Sequence, residues 1–268
     1  MDIVVNGTKD IVPRNSKPSQ NQDNYFLNLL HALDYDPFHP PLADLLRAYH
    51  ELDGQWVIAS PVHWEATHND AMITAESQEL ELTDKESRLW FTEIAQFLKD
   101  DNFKPVYHDA QTWLFNVDNK PVIRSRSPRS LLHQSLMPVL ANLDNTLFWQ
   151  RLITELQMYL SAHPLNQQRK TAFSINGLWF WGEGDFILDH KKPIETDDKT
   201  LLALLNKPFG KLTTDINFKK NHLLFIHDPA PINFSKLEQK TRKHTVHWYW
   251  NNLAYTNPAS HWWSRLGR

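Results

Sequence analysis

Gly177-Leu178-Trp179-Phe180-Trp181-Gly182-Glu183-Gly184 holds three of the seven glycines in a chain of 268 residues. Glycine is used where the backbone needs a positive φ or a close approach, so the cluster marks a demanding local geometry. Strand alternation within it sets Leu178 and Phe180 on one face and Trp179 and Trp181 on the other. Two bulky faces predict a central strand buried on both sides, as in an α/β sheet. Glu183, between two glycines, is the polar group that projects from the end of that strand. In open α/β sheets, ligands collect at that end.

The flanking sequence supplies helices and further strands. Leu147–Ala162 reads as a helix with Leu152, Leu156, Tyr159 and Leu160 as its apolar stripe, stopped by His163-Pro164. Thr83-Asp84-Lys85-Glu86 has the form of a capping box, with Thr83 as N-cap and Glu86 reaching back. Behind it Leu89, Trp90, Ile94, Phe97 and Leu98 recur at helical spacing. Tyr25–Leu33 and Leu42–His50 read as helices, Ser127-Pro128 opens another, and Asp197 caps one through Leu205. Ile3–Val5, Gln55–Ser60 and Leu223–His227 read as strands, and Val106–His108 with Thr112–Asn116 as a short pair. Strands interleaved with helices give an α/β fold, with a mixed or mostly parallel central sheet flanked by helices. A single domain over residues 1–268 is the simplest division. Residues 7–24, polar and carrying Pro13 and Pro18, read as a loosely ordered arm or loop.

Composition narrows the function classes. A net charge of −3 gives no electrostatic pull toward nucleic acid or an anionic membrane. The absence of cysteine excludes disulfides, thiolate zinc sites, iron–sulfur clusters and cysteine nucleophiles. No run approaches the roughly 20 apolar residues of a membrane span. Met1-Asp2-Ile3-Val4-Val5 lacks the basic start and long apolar stretch of a signal peptide. The expectation is a cytoplasmic protein with neither nucleic acid nor membrane as partner.

Most catalytic signatures are missing. There is no Walker-type loop, Gly182-x-Gly184 lacks the third glycine of a dinucleotide fingerprint, and no GxSxG elbow occurs. His63, His68 and Asp70 carry metal-donor atoms, but His63 and His68 face opposite ways on a strand, and Asp189-His190 is only a dipeptide; no metal site is expected. Arg124-Ser125-Arg126-Ser127-Pro128-Arg129 reads either as a solvated loop or as an anion cradle beside a helix N-terminus. Trp248, Trp250, Trp262 and Trp263 offer a candidate aromatic surface for a protein partner.

Ile153-Thr154-Glu155-Leu156-Gln157-Met158, His163-Pro164-Leu165-Asn166, Arg169 and Ile175–Gly184 follow in the order and spacing in which the chain resembles the RpfE-type regulatory proteins of proteobacteria. Ser60-Pro61-Val62-His63-Trp64 is similar to an earlier segment of that family. His261-Trp262-Trp263-Ser264-Arg265 is similar, more distantly, to its closing aromatic–arginine segment. The block from His163 to Gly184 also resembles part of the cofactor-independent phosphoglycerate mutases of archaeal type. The resemblance implies a reduced alkaline-phosphatase-like α/β core. Those mutases use two divalent metals, held by Asp and His, and a phosphoryl-accepting serine. Here Ile3-Val4-Val5 runs into Asn6-Gly7 rather than Asp-Gly, and no nucleophile segment or closing Asp–His block is recognisable. The resemblance therefore implies a degenerate, non-catalytic member with a regulatory or small-ligand-binding role and no cofactor.

The ligand-binding residues expected on this basis are Asn166, Arg169, Asn176, Trp179, Trp181, Gly182, Glu183, Gly184 and His63. Arg169 and Asn176 are read as hydrogen-bond donors and the tryptophans as a flat apolar wall. Glu183 stands where the family usually has glycine. Two other readings remain open: an active phosphomutase or phosphatase using Mn or Mg, and a protein-interaction module. The sequence names neither the small molecule nor the protein partner, and it assigns no catalytic residue.

Overall fold

The structure, a computed structural model, describes residues 1–19, 24–170, 172–187, 192–205, 210–211 and 221–260. Along the chain run β1 (Asp2–Val5), β2 (Lys17–Ser19), α1 (Tyr25–Ala32), α2 (Leu42–Tyr49), β3 (Trp56–Ala66), β4 (Ala71–Glu76), α3 (Asp84–Phe97), β5 (Lys104–Tyr107) and β6 (Trp113–Asn116). There follow α4 (Pro128–Leu131), α5 (Met137–Leu140), α6 (Phe148–Ser161), β7 (Gly177–Trp181), β8 (Ile194–Thr196) and α7 (Lys199–Leu205). The remaining elements are β9 (Gly210–Lys211), β10 (Leu223–Ile226), α8 (Phe234–Thr241), β11 (Val246–Trp250) and β12 (Ala254–Asn257). The fold is α/β, with one mostly parallel and one antiparallel sheet flanked by helices. Where the sequence suggests no division, contacts group the chain into two compact units: Met1–Pro37 with Ile187–Arg268, and Phe38–Phe186. Among the described residues, no helix is long and apolar enough to cross a membrane.

In the first unit the sheet runs β2-β12-β11-β1-β10-β8-β9. β1 is flanked by parallel β10 and β11, with Val4 opposite both Phe225 and Tyr249. Ile3, Val5, Leu224, Ile226, Trp248 and Trp250 form one buried face, against which Phe234 and Leu237 of α8 pack. Trp248 and Trp250 are therefore core residues, and Trp262 and Trp263 lie outside the described residues, as does the 261–265 segment. Lys17–Ser19, inside the expected loose arm, is an edge strand paired antiparallel to β12. The helix at 199–205 begins one residue later than expected. Asp198, not Asp197, accepts the N–H groups of Thr200 and Leu201, both at 3.0 Å. Asp197 instead takes the N–H groups of His227 and Asp228, at 2.6 and 2.8 Å.

In the second unit β3 is the organising strand. It pairs antiparallel with β6 over Trp56–Ala59, with β7 over Ile58–Val62 and with β4 over Val62–Ala66. β7 is buried over its whole length, as its two bulky faces require, but it is not the centre of a parallel sheet. Among the described strands it pairs with β3 alone, and α6 covers it. Phe180 lies among Phe103, Phe115 and Trp149, while Trp181 on the opposite face donates to Ser60 Oγ at 3.0 Å. α3 starts at the expected cap, Thr83 accepting the Glu86 N–H at 3.3 Å. Its buried face carries Ser87, Trp90 and Ile94, whereas Leu89 is exposed. In α6 Leu152, Leu156 and Leu160 are buried as read from their spacing, joined by Trp149 and Ile153.

Candidate functional site

The turn after β7 accounts for its glycines. Gly182 has φ of 83° and Gly184 of 123°, a region that L side chains avoid. A Cβ on Gly182 would stand 2.9 Å from Ile58 Cγ1 and 3.3 Å from the Ala43 nitrogen. That nitrogen donates to the Gly182 carbonyl at 3.0 Å, which docks the turn on the start of α2. At the exit, the Phe186 N–H donates to Asp44 Oδ2 at 2.8 Å and ties the chain to the same helix.

Between these anchors Glu183 is held largely out of solvent. Its Oε1 accepts the Ser125 N–H at 2.6 Å, while its buried Oε2 has no partner among the described residues. Burial pushes the carboxyl above its ordinary range, opposed by the Ser125 N–H, its own N–H and the charge of His39. Glu183 lines a cleft of about 600 Å³, within the usual range for small-molecule sites. Trp56, Val57, Ile123 and Trp149 supply apolar wall. Most charges around the cleft are already engaged. Arg47 pairs with Asp44 at 2.6 Å, and Lys120 donates to the Asp101 carbonyl at 2.6 Å while lying over the Phe103 and Phe148 rings. The exposed Arg124 and Asp185 make no ion pair among the described residues. A buried, shifted acid in a cleft with few uncommitted partners is the arrangement expected of a binding site.

The basic run meets Glu183 through a backbone group rather than through its arginine side chains. Ser125 in Arg124-Ser125-Arg126 gives its N–H to Glu183, and the Arg126 carbonyl accepts from Trp179 Nε1 at 2.9 Å. Arg129 pairs with Glu76 at 3.4 Å. Ser127 caps α4 as its sequence predicts, but that helix is only four residues long.

The other expected site residues gather at the opposite end of β7, where they fasten the backbone. Asn176 lays its side-chain amide along Trp64, Oδ1 accepting the Trp64 N–H and Nδ2 donating to its carbonyl, both at 2.9 Å. Asn166 accepts the Ile175 N–H at 2.8 Å and donates to the carbonyls of Leu160 and Ile175, at 2.9 and 3.0 Å. The Leu160 carbonyl already accepts the His163 N–H at 3.0 Å at the end of α6, so Asn166 adds a second donor to it. Arg169, its side chain only 4% exposed, bonds Glu86, the Leu80 carbonyl and the Phe173 carbonyl. Glu86 therefore does not close the capping box. His63 Nδ1 faces the Ser174 carbonyl at 2.8 Å, and His163 Nδ1 accepts the Leu165 N–H at 3.3 Å. Trp179 and Trp181 are core, 0% and 4% exposed, and present no wall to solvent. The two clusters lie a strand's length apart, about 15 Å at roughly 3.3 Å per residue. Glu183 with its glycines thus stands apart from Asn166, Arg169, Asn176 and His63.

Sequence reading missed one further constellation. His50 Nε2 and His108 Nδ1 lie 2.9 Å apart, and His108 Nε2 is 3.8 Å from Asp109 Oδ2. Burial lowers the pKa of both imidazoles, with Asp109 opposing and His50 reinforcing the shift at His108. No local pattern signals a pair drawn from the end of α2 and the end of β5. Among the described residues, no three His, Cys, Asp or Glu side chains converge in a way that would hold a metal ion.

No protein-family model, no curated protein and no solved structure matches the chain.

Proposed function

We propose that this protein is a non-catalytic, small-ligand-binding regulatory protein of the RpfE type, a degenerate relative of the phosphoglycerate mutases, and that its ligand occupies the Glu183 cleft. The observation that carries the reading is Glu183, which lines a cleft of about 600 Å³ and whose buried Oε2 has no partner among the described residues. A buried polar atom is nearly always bonded, so an open acceptor there calls for a ligand donor. The ligand is a small polar molecule that directs a hydroxyl or amine at Oε2 and lays carbon against Trp56 and Ile123.

The metal-dependent alternative requires Asp and His side chains converging on two divalent ions. At the ends of β8 and β10 both Asp197 oxygens already accept backbone N–H groups. Among the described residues no three His, Asp or Glu side chains converge as such a centre requires.

The test is a melting-shift screen of the whole chain against hydroxy acids, amino acids, sugars and nucleotides. At least one small donor-bearing compound is expected to raise the melting temperature, and Glu183→Gln is expected to weaken it by about tenfold or more. A screen without hits, or a hit bound equally well by Glu183→Gln and Trp56→Ala, overturns the assignment.

A further inference from the structure

The first unit contains a second recess with its own unmet chemistry. β1 and β11 place Asp2 opposite His247 and Val4 opposite Tyr249, on the sheet face away from Ile3, Val5, Trp248 and Trp250. The end of α1 lies over that face. Between them opens a recess of about 350 Å³, lined by Asp2, His247 and Tyr249 from the strands and by His31, Asp34 and Tyr35 from α1 and the turn behind it.

Three observations define what would fill it. Tyr249 is only 8% exposed and lines the recess, and no hydrogen bond from its hydroxyl is made within the described residues, although that oxygen is not itself sealed from water. Two of the other polar groups at the wall are committed. The Tyr35 hydroxyl bonds both the N–H and the carbonyl of Ile187, and His247 Nδ1 faces Thr256 Oγ1 at 2.8 Å. The two carboxylates differ, since Asp34 pairs with Lys192 at 2.6 Å. Asp2 lies beside the Met1 ammonium, which reaches the Thr245 carbonyl at 3.4 Å, and its carboxylate remains without a direct ion-pair partner among the described residues. The His31 and Tyr249 rings meet edge to face at 5.4 Å and give the recess an aromatic wall. Such a wall attracts cations, and the C-terminal end of α1 carries the negative pole of its dipole.

We propose that this recess binds a small primary ammonium compound, its cationic head held by Asp2 and Asp34 against the Tyr249 ring, with one N–H donated to the Tyr249 hydroxyl oxygen. The ammonium meets an Asp2 carboxylate that has no direct ion-pair partner, and the Tyr249 hydroxyl gains a charge-assisted bond. Two carboxylates repel an anionic ligand, and a neutral alcohol leaves Asp2 without an ion pair.

Titration of the full chain with butylammonium chloride, read by NMR of tyrosine-ring and histidine signals, tests the proposal, with butanol and butyrate as matched controls. Butylammonium is expected to shift the Tyr249 and His31 signals saturably, while neither control does so at the same concentrations. Asp2→Asn and Tyr249→Phe are each expected to weaken binding by about tenfold, and Glu183→Gln is expected to leave it unchanged. No saturable shift, equal shifts with butanol, or unaltered affinity in both variants overturns the proposal. If Tyr249→Phe fails to fold, the comparison of butylammonium with butanol and the Asp2→Asn variant decide the matter.

Discussion

Asn176 gives the sharpest test of whether the motif block around β7 is a fastening or a ligand wall. Replacing it by alanine removes the Oδ1 bond to the Trp64 N–H and the Nδ2 bond to the Trp64 carbonyl, both 2.9 Å long. Trp64 is 6% exposed and both bonds are partly buried, so the two backbone groups lose their partners where water has little access. Each orphaned group costs about 1–3 kcal/mol, and the two together about 2–6 kcal/mol in local opening of β3. At 1.4 kcal/mol per tenfold, amide exchange at Trp64 is expected to accelerate by about thirtyfold or more. Hydrogen exchange resolved at that amide is the assay, since it reports the second unit without assuming that the whole chain unfolds in one step. Asn176→Asp retains an oxygen for the N–H but turns a carboxylate toward the Trp64 carbonyl, so it is expected to remain destabilised. Exchange at Trp64 within about threefold of wild type in Asn176→Ala would refute the fastening. So would a variant that keeps full protection but loses a ligand that binds the wild-type protein.

Gly182→Ala forces an L residue to φ of 83° and sets its Cβ 2.9 Å from Ile58; the backbone term of about 1–2 kcal/mol and the overlap together cost about 2–4 kcal/mol. A loss below about 1 kcal/mol in denaturant unfolding would mean that the turn relaxes freely. The His50–His108 pair makes stability sensitive to acid. Both folded-state pKa values lie below the ordinary 6.5, so the unfolded chain binds more protons and the contribution, full above that value, is lost as pH falls through it. The double change His50→Gln and His108→Gln is expected to flatten the stability profile below pH 6.5, and an unchanged profile would sink the assignment. Glu183 acts in the opposite sense. Its pKa is raised above 4.5, so the folded chain holds the proton more tightly and stability falls as pH rises from 4.5 through the folded value. Glu183→Gln is expected to remove that fall and to melt higher at neutral pH; a lower melting temperature there would count against a strained, ligand-directed carboxylate.

The sequence made the local rules of this fold legible and left its global pairing hidden. Thr83, Ser127 and His163-Pro164 end or start helices where their chemistry requires, because caps act over three or four residues. The two bulky faces of Leu178–Trp181 correctly demand burial on both sides. Burial alone does not choose between a parallel centre and an antiparallel strand under a helix, and here α6 supplies the second cover. The displaced cap at Asp198 shows how little separates two adjacent aspartates once one of them is recruited by β10. At the candidate site Glu183 was readable because it interrupts a glycine pair. Its partner Ser125 was not, since the contact uses a backbone N–H from 58 residues away. The Tyr249 recess was illegible for the same reason: Asp2, Asp34 and Tyr249 come from three distant segments and share no spacing.

Asn, His and Arg at fixed offsets from a strand invite a catalytic reading, because the same polar atoms that bind substrates are costly to bury unless partnered. In this chain Asn166, Asn176, Arg169 and His163 find their partners in backbone groups at the end of α6, in β3 and around α3. Polar residues at fixed offsets can therefore be needed for reasons of assembly alone. Glu183 is the exception within the same block. It occupies a turn that needs two glycines at positive φ, it satisfies only one of its oxygens, and burial works against its charge. Nothing in the packing of β7 requires a carboxylate at that point, since the Ser125 N–H would be met equally by an amide oxygen. A group kept against the preference of the fold is the one whose removal should separate stability from function. Glu183→Gln should gain the first and lose the second, whereas Asn176→Ala should lose stability alone.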